Sequence, residues 1–122
     1  MTGGAAAPLH VGVTPWRGLD GDAERLCAQA ERAEALGYDS LWLPESHFAD
    51  ATSAPGALPE PLMLLAAAAA RTRSIRLATS SFLLPMRHAL QAAEQVAVLD
   101  RFSGGRVILG VGRGWQASML AA

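Results

Sequence analysis

Apolar residues occur along this chain in two alternating patterns. Four short runs, at residues 9–13, 40–43, 75–79 and 106–109, are rich in apolar and β-branched residues. Runs of this length predict strands, and their nearly continuous apolar character predicts burial on both faces, as in a parallel sheet. Between these runs, apolar residues recur at a spacing of three or four, which predicts amphipathic helices.

Each of three predicted helices has local signals for its beginning or end. Asp22 can cap the first helix, and Gly37 can end it in a left-handed backbone conformation. Pro61 suits the first turn of a second helix that extends to about residue 71. The third helix covers residues 87–101, and the Ser103-Gly104-Gly105 turn ends it.

The order of these elements predicts an α/β fold. The strands start about 30 residues apart, which is the usual size of a strand-helix-strand unit. Such alternation indicates a parallel sheet, either an open doubly wound sheet or a (β/α)₈ barrel. The glycines of residues 110–114 do not complete a dinucleotide-binding fingerprint, because residue 115 is Trp and the run follows the fourth strand instead of the first. The spacing alone leaves both architectures open.

Composition and charge narrow the class of protein. The chain has 122 residues, of which 51% are hydrophobic and 17% charged, as expected of a globular core. Its net charge of −1, with scattered basic residues, argues against nucleic-acid binding. Its single cysteine, Cys27, allows no intrachain disulfide and lies on the apolar face of the first helix, so we expect a core residue. Residues 1–8 do not resemble a signal peptide, and residues 62–70 are fewer than the roughly 20 of a membrane span, so we expect a soluble, cytoplasmic protein.

Residues that could bind a ligand or transfer a proton follow three of the strands, where strand-helix folds usually bind ligands. After the second strand, the carboxylate of Glu45 could orient the imidazole of His47 for proton transfer. Ser80 and Ser81 follow the third strand, and Arg113 stands among alternating glycines after the fourth, where a guanidinium and backbone N–H groups could hold an anion. Each has a simpler explanation: a solvated histidine, a hydroxyl-rich turn, or an arginine paired with a helix-end carboxylate.

Two stretches of the chain resemble a known family. Residues 93–114, AEQVAVLDRFSGGRVILGVGRG, and residues 41–48, LWLPESHF, are similar to signatures of the bacterial-luciferase-like flavin or deazaflavin oxidoreductases. The resemblance implies a (β/α)₈ TIM barrel, which needs eight strands and about 250 residues, and the chain supplies the first four strand-helix units. We expect residues 9–115 to be the N-terminal half of such a barrel, residues 1–8 to be flexible, and residues 116–122 to be a divergent tail that reflects truncation or an incomplete gene model.

The resemblance implies catalytic and substrate-binding roles after the second strand. Glu45 and His47 would carry out proton transfer. Ser46 and Phe48 would contact the substrate. The sequence departs from the family here, because Ser46 stands where the family has the first of two adjacent histidines. In the family, the histidine at this position is often assigned to stabilising the flavin oxygen adduct or to the deazaflavin proton relay.

The resemblance implies a cofactor site after the third and fourth strands. Ser80 and Ser81, joined by a cis peptide bond, would lie beneath the isoalloxazine ring, and Gly112 and Arg113 would bind the phosphate. The cofactor would be FMN, reduced by a separate reductase, or the deazaflavin F420. The reaction on a small organic substrate would be monooxygenation with FMN or hydride transfer with F420. We expect no metal site, and a homodimer in the complete protein.

A second hypothesis belongs to another class: the chain is a catalytically inert half-barrel fragment or an assembly subunit that associates through its uncovered strands. Three further expectations concern single side chains. Asp100 and Arg106 would form a salt bridge across the turn between them. His10 would be buried and hydrogen-bonded. His88 would open the third helix, either as a surface or capping residue or facing the cofactor.

Overall fold

The structure is a computed structural model that describes residues 7–15, 22–47 and 59–114. Short strands alternate with longer helices throughout these residues, as the sequence predicts. In chain order the elements are β1 (Gly12–Val13), α1 (Ala23–Ala35), β2 (Ser40–Leu43), α2 (Pro61–Arg71), β3 (Arg76–Thr79), β4 (Phe82–Leu83), a 3₁₀ turn (Leu84–Met86), α3 (Ala89–Ser103), β5 (Val107–Ile108) and β6 (Val111–Gly112).

The strands form two parallel sheets, one of four strands and one of two. Strands β1, β2, β3 and β5 make one sheet in that order, with Leu41 of β2 opposite Leu77 of β3, and Leu77 opposite Val107 of β5. Strands β4 and β6 pair in parallel immediately after β3 and β5. Because the strands are parallel, the segments that follow them leave the sheet at one end, which we call the carboxyl edge.

The helices begin and end where local hydrogen bonds satisfy their terminal backbone groups. The Asp22 carboxylate accepts a hydrogen bond from the backbone N–H of Arg25 at 3.0 Å at the start of α1. Glu60 accepts one from the N–H of Met63 at 2.8 Å at the start of α2. Gly104 ends α3 at φ 76°, a left-handed conformation that glycine adopts without a Cβ clash.

The hydrophobic core lies between the sheet and the helices. Its buried members come from all three helices, β2, β3, the residue before β3, and β4: Leu26, Ala30, Ala33, Leu41, Leu43, Leu62, Leu64, Leu65, Ala68, Ala69, Ile75, Leu77, Phe82, Ala92 and Leu99. Cys27 is 5% exposed, which confirms that it is a core residue, and burial raises the pKa of its thiol. No helix in the described residues is long and apolar enough to span a bilayer.

Several boundaries differ from the prediction. The first strand shortens from residues 9–13 to Gly12–Val13, and the third helix moves from residues 87–101 to Ala89–Ser103. Strands β4 and β6 were not predicted, because two-residue strands are too short to show a periodic pattern.

The expected salt bridge between Asp100 and Arg106 is wrong. Arg106 instead donates to the carbonyl oxygens of Ala69 and Thr72 at the end of α2, at 3.1 and 3.2 Å, and Asp100 accepts from the N–H of Val107 at 3.1 Å. A guanidinium has five donors, so the free carbonyls of a helix end compete well with a single carboxylate.

The expectation for His10 is half wrong. Its Nδ1 lies 3.1 Å from Asp39, but 74% of the side chain is exposed. The pKa of Asp39 is lowered by the hydrogen bond that it accepts from the N–H of Val11 and by its contact with His10. His10 therefore lies at the surface, at the amino end of the strands.

Candidate functional site

Backbone hydrogen bonds join the neighbouring segments of the carboxyl edge. The N–H of Ser80 donates to the carbonyl of Leu43 at 2.8 Å, which connects the segment after β3 to the end of β2. The N–H of Phe82 donates to the carbonyl of Gly110 at 2.7 Å, which connects the same segment to the end of β5. The three segments that sequence analysis singled out are therefore adjacent.

Glu45 lies in the first segment, and its carboxylate is held from several sides. The side chain is 0% exposed, and its Oε2 accepts the N–H of Leu83 at 2.7 Å. Its Oε1 is 2.5 Å from a guanidinium nitrogen of Arg87, which lies 2.9 Å from Glu60 as well. The Arg87 guanidinium also stacks 3.8 Å from the ring centroid of Phe82. Burial of this carboxylate is thus compensated by a cation and a backbone donor.

His47 packs against the same carboxylate. Its Nε2 lies 2.6 Å from Oε1 of Glu45, close enough to interact, although the two groups are not aligned as a hydrogen bond. The atom Nε2 is buried while 31% of the side chain is exposed. Ser46 is half-buried, and Phe48 lies outside the described residues. Within the described part of the chain, no three His, Cys, Asp or Glu side chains are grouped so as to hold a metal ion.

The segment after β3 contains the expected unusual peptide bond. The Ser80–Ser81 bond is cis, as the resemblance implies. Before it, the hydroxyl of Thr79 donates to the carbonyl of Gly110 at 2.9 Å and accepts the N–H of the same residue at 3.1 Å. Ser80 is exposed and Ser81 half-buried, so this segment presents hydroxyls at the carboxyl edge.

The segment after β5 comes very close to its neighbour. A Cβ on Gly110 would lie 2.2 Å from the carbonyl oxygen of Thr79, and a Cβ on Gly112 would lie 2.9 Å from Cβ of Ser81. Only glycine permits these approaches. Arg113 is exposed, and no ion pair joins it to any other described residue. The alternative that it pairs with a helix-end carboxylate therefore has no support in the described residues.

Trp42 lies beneath this edge on the face of the sheet that the helices do not cover. Its Cζ3 atom is 3.8 Å from the position of a Cβ on Gly110, and its Nε1 donates to the hydroxyl of Ser40 at 2.8 Å. Gly12 of the adjacent strand leaves room for the indole, because a Cβ there would lie 2.3 Å from Nε1.

Sequence reasoning missed Arg87 and Trp42. Arg87 is 42 positions from Glu45 and belongs to no periodic pattern or motif in the sequence. His88 is the exposed N-cap residue of α3, and its side chain makes no capping hydrogen bond. Trp42 is part of the stretch that resembles the family's Trp-x-x-Glu pattern, and that was the available signal.

A family model and a curated relative both relate this chain to monooxygenases. A family model described as luciferase-like monooxygenase matches residues 1–122. The chain is 37% identical over 117 residues to 4-hydroxyprotoasukamycin monooxygenase from Streptomyces nodosus subsp. asukaensis, covering 92% of this chain and 28% of that protein. Curated relatives that match the chain are thus several times longer.

Solved structures share the fold. The oxygenating constituent of 3,6-diketocamphane monooxygenase from Pseudomonas putida, in complex with FMN, aligns at a TM-score of 0.76 and 27% identity, over 91% of this chain and 31% of that chain. The coenzyme F420 dependent tetrahydromethanopterin reductase from Methanopyrus kandleri aligns at 0.75 and 26%, over 91% and 29%. The neighbours are TIM barrels, so the α/β elements described above form part of a (β/α)₈ barrel.

Proposed function

Because the chain belongs to the luciferase-like monooxygenase family, we propose that it carries the N-terminal part of the cofactor site of an FMN-dependent oxidoreductase that monooxygenates a small organic substrate. The supporting observation is the convergence of an exposed guanidinium, two serine hydroxyls and an imidazole at one edge of a parallel sheet. Open strand-helix sheets and barrels bind ligands at this edge.

The residues of the carboxyl edge fit a phosphorylated, planar cofactor. Arg113 is exposed and offers a planar fork that matches a phosphate group. Gly112 packs closely against Ser81, since a Cβ on it would lie 2.9 Å from Cβ of Ser81, and the segments after β3 and β5 therefore form one surface. We propose that Arg113 and Gly112 hold the phosphate and that Ser80 and Ser81 lie beneath the ring.

We assign proton transfer to His47, and we assign to Glu45 the positioning of its imidazole. Glu45 is buried and accepts hydrogen bonds from Arg87 and from the N–H of Leu83, so its role in this proposal is to position the imidazole that packs against it, without contacting a ligand. The redox chemistry at such a site comes from the bound cofactor: electrons for oxygen activation with reduced FMN, or a hydride with F420. Ser46 and Phe48 would contact the substrate beside the imidazole.

The alternative cofactor is F420, since a structural neighbour at comparable similarity is an F420-dependent reductase. Both cofactors combine a tricyclic ring with a phosphate, and Arg113 suits either. Titration of the chain with FMN, reduced FMN and F420, followed by cofactor fluorescence or absorbance, distinguishes them. The tighter ligand identifies the class of reaction, monooxygenation or hydride transfer.

An Arg113→Ala variant tests the assignment of the phosphate site. Loss of a charge-assisted contact costs about 2 kcal/mol, or roughly 30-fold in Kd. The matched control is Arg73→Ala, since Arg73 is also exposed but precedes β3 at the opposite end of the strands. Equal affinities of the two variants would remove Arg113 from the site.

The inert half-barrel remains the competing proposal, because the chain spans 28% of the first curated relative and leaves Leu90 and Phe102 of α3 71% and 75% exposed. That proposal expects no affinity for either cofactor and association through the apolar surfaces. Size-exclusion chromatography with and without cofactor separates the two. A species that binds cofactor, as monomer or dimer, supports the enzyme site, whereas cofactor-independent association without binding supports the inert fragment.

A further inference from the structure

We propose that Arg87 is a positioning residue for His47. Acting through the buried carboxylate of Glu45, it keeps Nε2 of the imidazole protonated and turned inward, so that Nδ1 is the nitrogen that accepts a proton at the carboxyl edge. This assignment rests on the proposed function in one respect: the proposed function identifies the molecule that gives the proton to Nδ1.

The position of Arg87 is itself well fixed. Only 13% of its side chain is exposed, one guanidinium nitrogen donates to the carbonyl of Leu83 at 3.1 Å, and the plane stacks on Phe82. A second nitrogen bridges Glu45 and Glu60 at 2.5 and 2.9 Å. Glu60 in turn caps α2, so the guanidinium is anchored to two elements besides its own segment.

The positive charge on Arg87 lies directly against the buried carboxylate of Glu45. A carboxylate that is 0% exposed stays ionised only when a cation and hydrogen-bond donors compensate for its lost hydration. Arg87 supplies the cation and the N–H of Leu83 supplies a donor.

The ionised carboxylate then determines the tautomer of His47. An ionised carboxylate presents only lone pairs, so an imidazole nitrogen 2.6 Å from Oε1 avoids lone-pair repulsion when it carries the proton, and that nitrogen is Nε2. In the neutral ring the lone pair is therefore on Nδ1. Nε2 is buried, so the 31% exposure of the side chain belongs to the other atoms of the residue. The loose alignment of the pair is common in catalytic sites without bound ligand.

Nitrogen-15 NMR of the chain labelled at histidine tests this directly, because the two ring nitrogens report the tautomer. The spectrum is recorded without cofactor at about pH 8.5, where a free imidazole is neutral. A His47→Gln variant assigns the resonances, and His10 and His88 serve as internal references. We expect His47 to show a proton fixed on Nε2.

Two variants test the part played by Arg87. Arg87→Met removes the charge and should give His47 the averaged shifts of a ring that exchanges between tautomers, while His10 and His88 do not change. Arg87→Lys retains the charge but not the fork, and its averaging should be smaller. A proton on Nδ1 or averaged shifts in the wild type overturn the proposal, as does a folded Arg87→Met variant with the wild-type spectrum. If Arg87→Met does not fold, the test rests on the wild-type tautomer and on Arg87→Lys. The proposal then requires a proton on Nε2 in the wild type and averaged His47 shifts in Arg87→Lys. Since no cofactor is present, a failure of the cofactor proposal leaves this result unaffected.

Discussion

Replacing Glu34 with Gln should destabilise the fold in a pH-dependent way. Glu34 is near the end of α1, and its Oε1 accepts the backbone N–H groups of Arg73, Ser74 and Ile75 at 2.9, 2.6 and 2.8 Å. The Ser74 hydroxyl also donates to Oε1 at 3.0 Å. One carboxylate thus holds the turn that leads into β3, the strand whose other end bears Ser80.

The size of the effect follows from the titration of this carboxyl group. Partial burial raises its pKa, but the hydrogen bonds from Ile75, Ser74 and Arg73 outweigh burial and lower the pKa from 4.5 to about 2. The lowering of this pKa from 4.5 to about 2 corresponds to at most ~3.4 kcal/mol, and solvent screening of a partly exposed group reduces this to roughly 2 kcal/mol. Because the folded-state pKa is depressed, this stabilisation is present above pH ~4.5 and is lost as the pH falls through 2.

Urea denaturation of wild type and Glu34→Gln between about pH 7 and pH 3 measures the difference. We expect about 2 kcal/mol near neutrality, unchanged down to about pH 5, and a progressive decrease below pH ~4.5. Glu94→Gln, at an exposed position on α3, should differ little from wild type at any pH. A difference for Glu34→Gln that stays constant to pH 3, or that grows as the pH falls, would refute the reasoning.

Two further substitutions test contacts that shape the fold around the site. Gly110→Ala should lower the free energy of unfolding by about 2–4 kcal/mol, because its Cβ would lie 2.2 Å from the carbonyl oxygen of Thr79. The control Gly104→Ala has open space around its Cβ and should lower it by only about 1 kcal/mol, because of its positive φ. Thermal or chemical unfolding measures both. Arg106→Lys should cost about 2 kcal/mol, because a single ammonium nitrogen does not reproduce the guanidinium fork that donates to the carbonyls at the end of α2. The exposed Arg101→Lys serves as its control. A destabilised control, or a neutral Gly110→Ala or Arg106→Lys, would contradict these assignments.

Much of the secondary structure could be predicted from local signals. Strand β2 and helix α2 have the predicted bounds, because Pro44 and Pro61 mark their ends and the apolar pattern between is unambiguous. The parallel sheet followed from the regular alternation of elements. The choice of a barrel did not, and it came from the resemblance of two motifs.

The site was only partly predictable for a physical reason. The residues that follow strands could be found, since a strand's end is a local feature. The cluster of Arg87, Glu45 and Glu60 could not, because its members are 27 and 42 positions apart and meet only through the fold. The error at Arg106 has the same origin, since helix-end carbonyls as hydrogen-bond acceptors leave no trace in the sequence. The roles of the individual site residues stay predictions.

The central claim is that the segments after β2, β3 and β5 form one cofactor-binding edge. Hydrogen–deuterium exchange of the chain with and without saturating FMN or F420 tests it most directly. We predict slower exchange at residues 45–47, 80–83 and 110–113 together, with the effect diminished in Arg113→Ala. Protection confined to one of these segments, or protection at residues 10–12 and 74–76 at the opposite end of the strands, would contradict the claim.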